Sequence, residues 1–418
     1  MTSSPSPARP ALGETHRAAM LFVNFVLIIL GYYQIKPAAR SLFIAYWSAD
    51  MLPYVWITTA AVLGLIIGAY HRIVERHDRL RVVLGTLITF ALALVTFRLL
   101  FPIGGAAVAV VFYVFVDIFS VVLVEQFWSL ANSVNTTASG RRWYGFVAMA
   151  GPVGGMLGGK LAADLVAKTP LRTEDLLLVS AAMLGLLFLL NLLLSRQGVY
   201  TEQPAAQRRV DVSGWRDLLG NRYLRLIAVL LLLSQIVESL IDFQFSKAIE
   251  AAYPDTDERT AFQGNFYFLL NGVAIGVNLI ATPLVHQYLG VMSGLLVQPL
   301  LVTLGSIAYM VGPTLRMAAT LKIADRGMSY SINRASKEIL YIPIDPVRTY
   351  QAKAWIDMFG YRLFKVIGSV MILALTQWFG LGITVVHLGY FVIAACAAWL
   401  FVIIALTPEY RAVLVKAE

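Results

Sequence analysis

The chain has 418 residues, of which 59% are apolar and only 14% charged, and its formal net charge is +9. Its mean hydropathy is +0.73, whereas an ordinary soluble domain carries about a quarter of its residues as charges. A single cysteine, Cys396, excludes disulfides and thiolate metal clusters, and five scattered histidines form no ligand-spaced pair. The basic excess is not arranged as a stripe interleaved with aromatics, so nucleic-acid binding is not expected.

The Ser- and Pro-bearing stretch 1–17 reads as a disordered cytoplasmic tail, because it lacks the basic region, apolar core and cleavage site of a leader. Apolar runs then follow, each long enough to cross about 30 Å of hydrocarbon. The expected spans are 18–38, 51–71, 80–101, 105–133, 143–167, 175–195, 222–246, 261–285, 291–311, 315–341, 355–378 and 382–406. Residues 407–418 form a second cytoplasmic tail. The fold class is therefore an all-α polytopic membrane protein with twelve transmembrane helices.

Arg and Lys collect on one set of flanks, among them Arg72, Arg76, Arg141, Arg142, Arg196, Arg208, Arg209 and Lys353. Few cations sit on the other set. The positive-inside rule places both termini in the cytoplasm of a multi-pass protein in the cell inner (cytoplasmic) membrane. The longest hydrophilic stretch, 196–221, divides the chain into six-helix halves at 18–195 and 222–406. Two internal echoes support duplication: Arg141-Arg142-Trp143 with Lys353-Ala354-Trp355, and Lys36 with Lys247.

Ionisable groups inside spans are costly and face a cavity, a partner or a substrate. Here they cluster in the first (Lys36, Arg40), fourth (Asp117, Glu125), fifth (Lys160, Asp164), seventh (Glu238, Asp242, Lys247), tenth (Lys322, Asp325, Arg326, Arg334, Lys337, Glu338) and eleventh spans (Asp357, Arg362, Lys365). The third, sixth, ninth and twelfth are nearly bare and are expected to face lipid. Cations outnumber acids near the cavity ends, so Lys36, Lys247 and a cation of the tenth span are expected to face a shared cavity that takes an anionic small molecule. Internal pairing of the same charges is the alternative, and Lys160 with Asp164 has helical spacing for it. Gly154 to Lys160 fits the first seven positions of a phosphate-binding loop but lacks its Ser/Thr and its strand. It is read as helix packing. No catalytic constellation is found, so the chain is not expected to be an enzyme and needs no cofactor.

Two stretches carry a resemblance. One is Gln126-Phe127-Trp128-Ser129-Leu130-Ala131-Asn132, followed by Arg142-Trp143-Tyr144-Gly145 and the glycines from Gly151 to Gly159. The other is Arg334-Ala335-Ser336-Lys337-Glu338-Ile339-Leu340-Tyr341-Ile342-Pro343-Ile344-Asp345, followed by Lys353-Ala354. These resemble the Phe-Trp-Ser…Asn and Lys-Glu-Met-Ala-Tyr-Ile-Pro-Leu-Asp motifs of the ATP/ADP translocase family of plastids and bacteria, which is related to the major facilitator superfamily. The resemblance implies a major-facilitator-type carrier exchanging nucleotides by alternating access. It also implies that Lys337 contacts phosphate, that Glu338 belongs to a gating network, and that Gln126, Trp128 and Asn132 are their first-half counterparts. The family's first-span pair of cations, three apart and followed by an acid, is here Lys36 and Arg40 followed by Ser41. Its seventh-span acid is matched by Asp242.

The leading expectation is thus a nucleotide or organic-anion transporter. Its substrate-binding residues would be Lys36, Arg40, Trp128, Asn132, Lys247, Arg334, Lys337 and Tyr341, with Glu125, Asp242 and Glu338 as charge-pairing gates. A non-transporting scaffold or partner subunit, and a carrier of lipid or peptide, are the alternatives.

Overall fold

The computed structural model describes residues 13–74, 77–135, 137–200, 220–342, 356 and 360–417. These residues are helical apart from short connections, and no strand occurs among them. Nine of the helices are long and apolar enough to cross a membrane. In chain order the α-helices among the described residues are α1 (Glu14–Trp47), α2 (Leu52–Val74), α3 (Arg79–Val134), α4 (Thr137–Lys168), α5 (Leu176–Arg196), α6 (Arg222–Ala252), α7 (Thr256–Gly276), α8 (Thr282–Tyr288), α9 (Gly290–Val311), α10 (Leu315–Ser329), α11 (Ile332–Leu340), α12 (Tyr361–Leu373) and α13 (Leu388–Ala417).

The expected third and fourth spans join into α3, which has 56 residues. At about 1.5 Å per residue a straight helix of that length would reach roughly 84 Å, far beyond the bilayer core. It is broken at Gly105, whose φ of 26° and ψ of −98° lie outside the helical region. Pro102 just ahead removes a backbone donor, so the two together turn the chain with almost no connecting loop.

The expected tenth span, 315–341, is not continuous. It is two helices, α10 and α11, separated at Tyr330 and Ser331. Ser331 leaves the helical region at φ −119° and ψ −102°, and its hydroxyl donates to the Gly327 carbonyl at 2.6 Å. A hydroxyl serving the preceding turn competes with the backbone ladder and favours such a break.

Other boundaries shift by less. α1 starts at Glu14, inside the expected tail, and α13 starts at Leu388, after a connection with Gly380 and Gly382 at positive φ. The α13 helix then runs through Pro408 to Ala417 rather than stopping at 406. π-helical turns at Val277–Ala281 and Ala374–Trp378 interrupt the eighth and eleventh expected spans. The motif Pro343-Ile344-Asp345, Lys353-Ala354-Trp355, Asp357 and most of the 196–221 linker lie outside the described residues.

The spans expected to be bare carry outward apolar side chains. Ile88, Leu92, Val95 and Leu99 are exposed on α3, and Leu186, Leu189 and Leu193 on α5. Leu300, Leu304 and Ile307 of α9 and Phe401 and Ile404 of α13 are also exposed. Such surfaces are unfavourable in water and suited to lipid.

The chain resolves into two compact units. The first holds residues 1–42, 63–206 and 256–268; the second holds 43–62, 207–255 and 269–418. The start of α2 thus packs with the later helices, and the start of α7 with the earlier ones. In the first unit α3 packs on α5. In the second, α6 packs against α10, α12 and α13, and α9 against α10, α11 and α13.

In the first unit the glycine run of α4 is a packing surface. A Cβ on Gly154 would lie 2.8 Å from the Val26 carbonyl oxygen, and one on Gly158 would lie 2.8 Å from that of Leu30. Gln34 of α1 donates to the Gly158 carbonyl at 2.9 Å. The backbones of α1 and α4 touch through these glycines, which leaves no room for a phosphate there.

Candidate functional site

In the first unit, Lys36 sits on α1 one residue before Pro37. Its ammonium lies 4.7 Å from the centre of the Tyr267 ring, 4.8 Å from Tyr33 and 5.2 Å from Tyr32. No carboxylate lies within ion-pair distance of it among the described residues. Each ring face attracts a cation by about 0.5–2 kcal/mol. The rings orient Lys36 but carry no net charge, so they do not neutralise it.

Arg40, one turn later, is buried. The neighbouring Ser41 is held by two groups on α7: Arg259 donates to its carbonyl at 3.1 Å and Gln263 to its hydroxyl at 2.8 Å. Lys160 is paired, lying 2.8 Å from Asp164, which also bonds Lys168 at 3.0 Å.

Trp128 is enclosed by aromatics. Its ring meets Phe25 at 5.7 Å, Phe127 at 5.3 Å and Tyr144 at 5.8 Å, edge to face in each case. Asn132 is exposed and accepts from the Tyr144 hydroxyl at 2.9 Å. Two residues of the Gln126–Asn132 motif are thus joined through Tyr144 of the Arg142–Gly145 motif. Gln126 turns instead toward Thr86, to which it donates at 2.7 Å. Glu125 is exposed.

In the second unit, the charges of α6 and α10 meet. Lys322 Nζ lies 2.7 Å from Asp242 Oδ1, an ion-pair distance off the hydrogen-bonding angle. Arg326 pairs with Glu238, which also accepts from Gln235 at 3.0 Å. Residues three and four apart on one helix share a face, which is why Glu238 and Asp242 present two acids to Lys322 and Arg326. Asp325 is buried beside them and accepts from Gln298 of α9 at 2.9 Å. Asn333 of α11 donates to Gln298 in turn.

Lys337 lies on α11, just past the helix break. It is half-buried and has no ion pair among the described residues; the carboxylates acting on it are Glu238 and Asp325. Arg334 and Glu338 are exposed, and Tyr341 is buried at the end of α11.

Lys247 belongs to a different cluster, near the end of α6. It bonds Asp50 at 2.9 Å and Glu250 at 2.7 Å, and Glu250 accepts from the Ala49 backbone N–H at 2.9 Å. The structure therefore joins Lys337 and Asp242 to one acidic cluster and sets Lys247 apart in a paired one.

Sequence reasoning missed Tyr267, Gln298, Asn333, Asp50 and Glu250 as partners of these groups. Asp50 and Glu250 carried a visible signal as acids at helix ends. Tyr267, within Phe266-Tyr267-Phe268, carried none.

Comparison with known proteins fits this arrangement. The family model described as TLC ATP/ADP transporter matches residues 103–321 and 314–410, more than half of the chain. ADP,ATP carrier protein 4 of Rickettsia conorii is 22% identical over 352 residues, covering 72% of this chain and 68% of that carrier. ADP,ATP carrier protein 1 of Chlamydia pneumoniae is 23% identical over 333 residues, covering 69% of this chain and 65% of that carrier, so the chain spans about two thirds of these relatives. Among solved structures, a mutant of the nucleoside transporter NupG superposes with a TM-score of 0.67 at 11% identity, over 93% of this chain and 99% of that one. A POT family transporter bound to a conjugated peptide gives 0.67 at 11% identity, over 94% and 96%. These likenesses show a major-facilitator-type fold. With the matched family model spanning most of its helices, the chain belongs to the TLC ATP/ADP transporter family, a family of carriers rather than enzymes.

Proposed function

We propose that this chain is a membrane carrier that moves a nucleotide or a related organic anion by alternating access, with ATP/ADP-type exchange as its mode. The observation that carries this reading is Lys36: a half-buried ammonium held by three tyrosine rings, without a carboxylate among the described residues, in a chain of an ATP/ADP transporter family. A cation left uncompensated in a membrane protein is stabilised by an anionic ligand. Lys337, also without an ion pair among the described residues, supports the same reading from the second unit.

In this reading Lys36 and Lys337 offset phosphate charge, with Arg40 and Arg334 adding positive potential nearby. Trp128, Asn132 and Tyr341 shape the surroundings of the substrate. Asp242, Glu125 and Glu338 are the acids that engage cations as the carrier reorients, and Lys247 acts in that reorientation through Asp50 and Glu250. The transport body is two six-helix halves, 18–195 and 222–406, joined by the 196–221 linker. The distribution of Arg and Lys supports cytoplasmic termini in the inner membrane.

The test is uptake of labelled ATP into liposomes containing the purified protein and preloaded with ADP. Uptake that depends on internal ADP, and that falls at least about tenfold in Lys36→Ala and in Lys337→Ala, is expected, since an unpaired cation on phosphate contributes more than 1.4 kcal/mol. No uptake and no binding of any nucleotide would sink the reading.

A further inference from the structure

The charged cluster of the second unit contains one carboxylate that the ion pairs do not use. Asp242 is taken by Lys322 and Glu238 by Arg326. Asp325 is 1% exposed; its Oδ1 accepts from Gln298, and its Oδ2 has no hydrogen-bond partner among the described residues. A buried ionised carboxylate with an unbonded oxygen costs several kcal/mol, and a bound proton removes that cost.

We propose that Asp325 is a proton-binding site, so that a proton is a second ligand of this carrier, taken up and released on the Asp325 carboxylate during the transport cycle. The groups that act on it come from every neighbouring element. Lys322 and Arg326 share its helix, Glu238 lies on α6 one turn from Asp242, the partner of Lys322, Gln298 on α9, Lys337 on α11 and the Cys396 thiol on α13. Among the described residues three carboxylates therefore meet three cations, and two pairs form. The third cation, Lys337, balances Asp325 at longer range.

The balance gives the coupling its sign. This sign rests on the nucleotide reading above, in which phosphate engages Lys337. When Lys337 is claimed by phosphate, Asp325 keeps Lys322 and Arg326 but loses part of its compensation, which shifts its balance toward the neutral carboxyl. Anion and proton then bind better together than apart, and by linkage each raises the affinity for the other by the same factor. The reaction at this site is the addition of one proton to one carboxylate oxygen, and its reversal.

The experiment has two arms on full-length purified protein. In the first, ATP binding is titrated calorimetrically at mildly alkaline pH, where nucleotide phosphates are fully ionised, in two buffers of different ionisation enthalpy. The expected result is net proton uptake on nucleotide binding by the wild type that is clearly smaller in Asp325→Asn, which keeps the Gln298 hydrogen bond. Equal uptake by the variant overturns the proposal.

The second arm needs no substrate. An infrared pH titration should show a protonated-carboxyl band that grows on acidification and is missing in Asp325→Asn. Should that variant fail to fold, Asp325→Glu is expected to retain the band at a shifted pH. A band unaffected by either change overturns the proposal. If no nucleotide binds in the first arm, the transport reading fails by itself, and this second arm still decides the proton site.

Discussion

Gly159 of α4 and Gly264 of α7 stand so close that a Cβ on either would lie 2.7 Å or 2.6 Å from the other's carbonyl oxygen. The Gly264 Cβ would also lie 2.9 Å from that of Ala163. Backbone meets backbone here, so neither partner yields by rotating a side chain. Gly264→Ala is expected to destabilise the protein by about 1–3 kcal/mol, the range for overpacking, and Gly159→Val by more. Gly185→Ala is the control: nothing lies within 4 Å of its added Cβ, and it should be neutral or stabilising by about 0.5–1 kcal/mol. Thermal unfolding in detergent separates these outcomes. A Gly264→Ala protein as stable as the parent would show that the two helices do not meet at these glycines.

The Lys247 cluster ties the start of α2 to the end of α6 within one unit, through Asp50, Glu250 and the Ala49 backbone N–H. Gln377 adds a bond to the Asp50 carbonyl at 2.8 Å. These charges are partly exposed, so their contribution to stability is discounted to about 1 kcal/mol or less. Their effect on conformation is the sharper readout. The chain's only cysteine, Cys396, is fully buried, so an introduced thiol reports alone. Ala49→Cys, also at a fully buried position, should resist maleimide in the otherwise native protein. Adding Lys247→Ala should raise its labelling rate by up to about fivefold, the factor that 1 kcal/mol allows. Equal labelling with and without Lys247 would remove it from the role of a latch.

Lys36 makes a prediction about chemistry rather than charge alone. Its rings hold it by their faces, so Tyr267→Phe keeps the attraction and Tyr267→Leu removes one face. Nucleotide affinity should be nearly unchanged in the first variant. It should fall about threefold to thirtyfold in the second, as expected for a loss of 0.5–2 kcal/mol. Lys36→Arg should retain binding better than Lys36→Met. Equilibrium binding of labelled nucleotide measures all four, and a Tyr267→Leu protein that binds like the parent would assign the three rings to packing only.

The membrane fold was legible because its signal is one-dimensional. Twenty apolar residues in a row need no partner to be recognised, and the bare third, sixth, ninth and twelfth spans showed their lipid-facing side in composition alone. The break in the expected tenth span was hidden because Tyr330-Ser331 is unremarkable locally. Ser331 breaks the helix through its hydroxyl bond to Gly327, a choice that depends on the surrounding packing. The sequence grouped Glu238 with Asp242 in one span, and Lys322 with Arg326 in another. It did not say that Asp242 would find Lys322 rather than Lys247, one and a half turns along its own helix. Pairing across helices depends on how the helices are rotated, which hydropathy does not encode.

That cross-helix pairing gives the most stringent prediction. Asp242 and Lys322 are both nearly dry, with side chains 14% and 5% exposed. Removing one partner strands the other in the interior, and for a buried pair this costs about 3–5 kcal/mol. Lys322→Met and Asp242→Leu should each destabilise the protein by that order. The double variant should recover most of the loss, because two apolar side chains of similar size leave no charge to desolvate. A double-mutant cycle on unfolding free energy measures this coupling directly. Simple additivity would mean that the two residues do not compensate each other and that the pairing at 2.7 Å is incidental. Strong coupling has a functional corollary. The stabilised double variant lacks the acid proposed to engage cations during reorientation, so it should bind nucleotide while exchanging it at least about tenfold more slowly, a barrier increase of 1.4 kcal/mol or more.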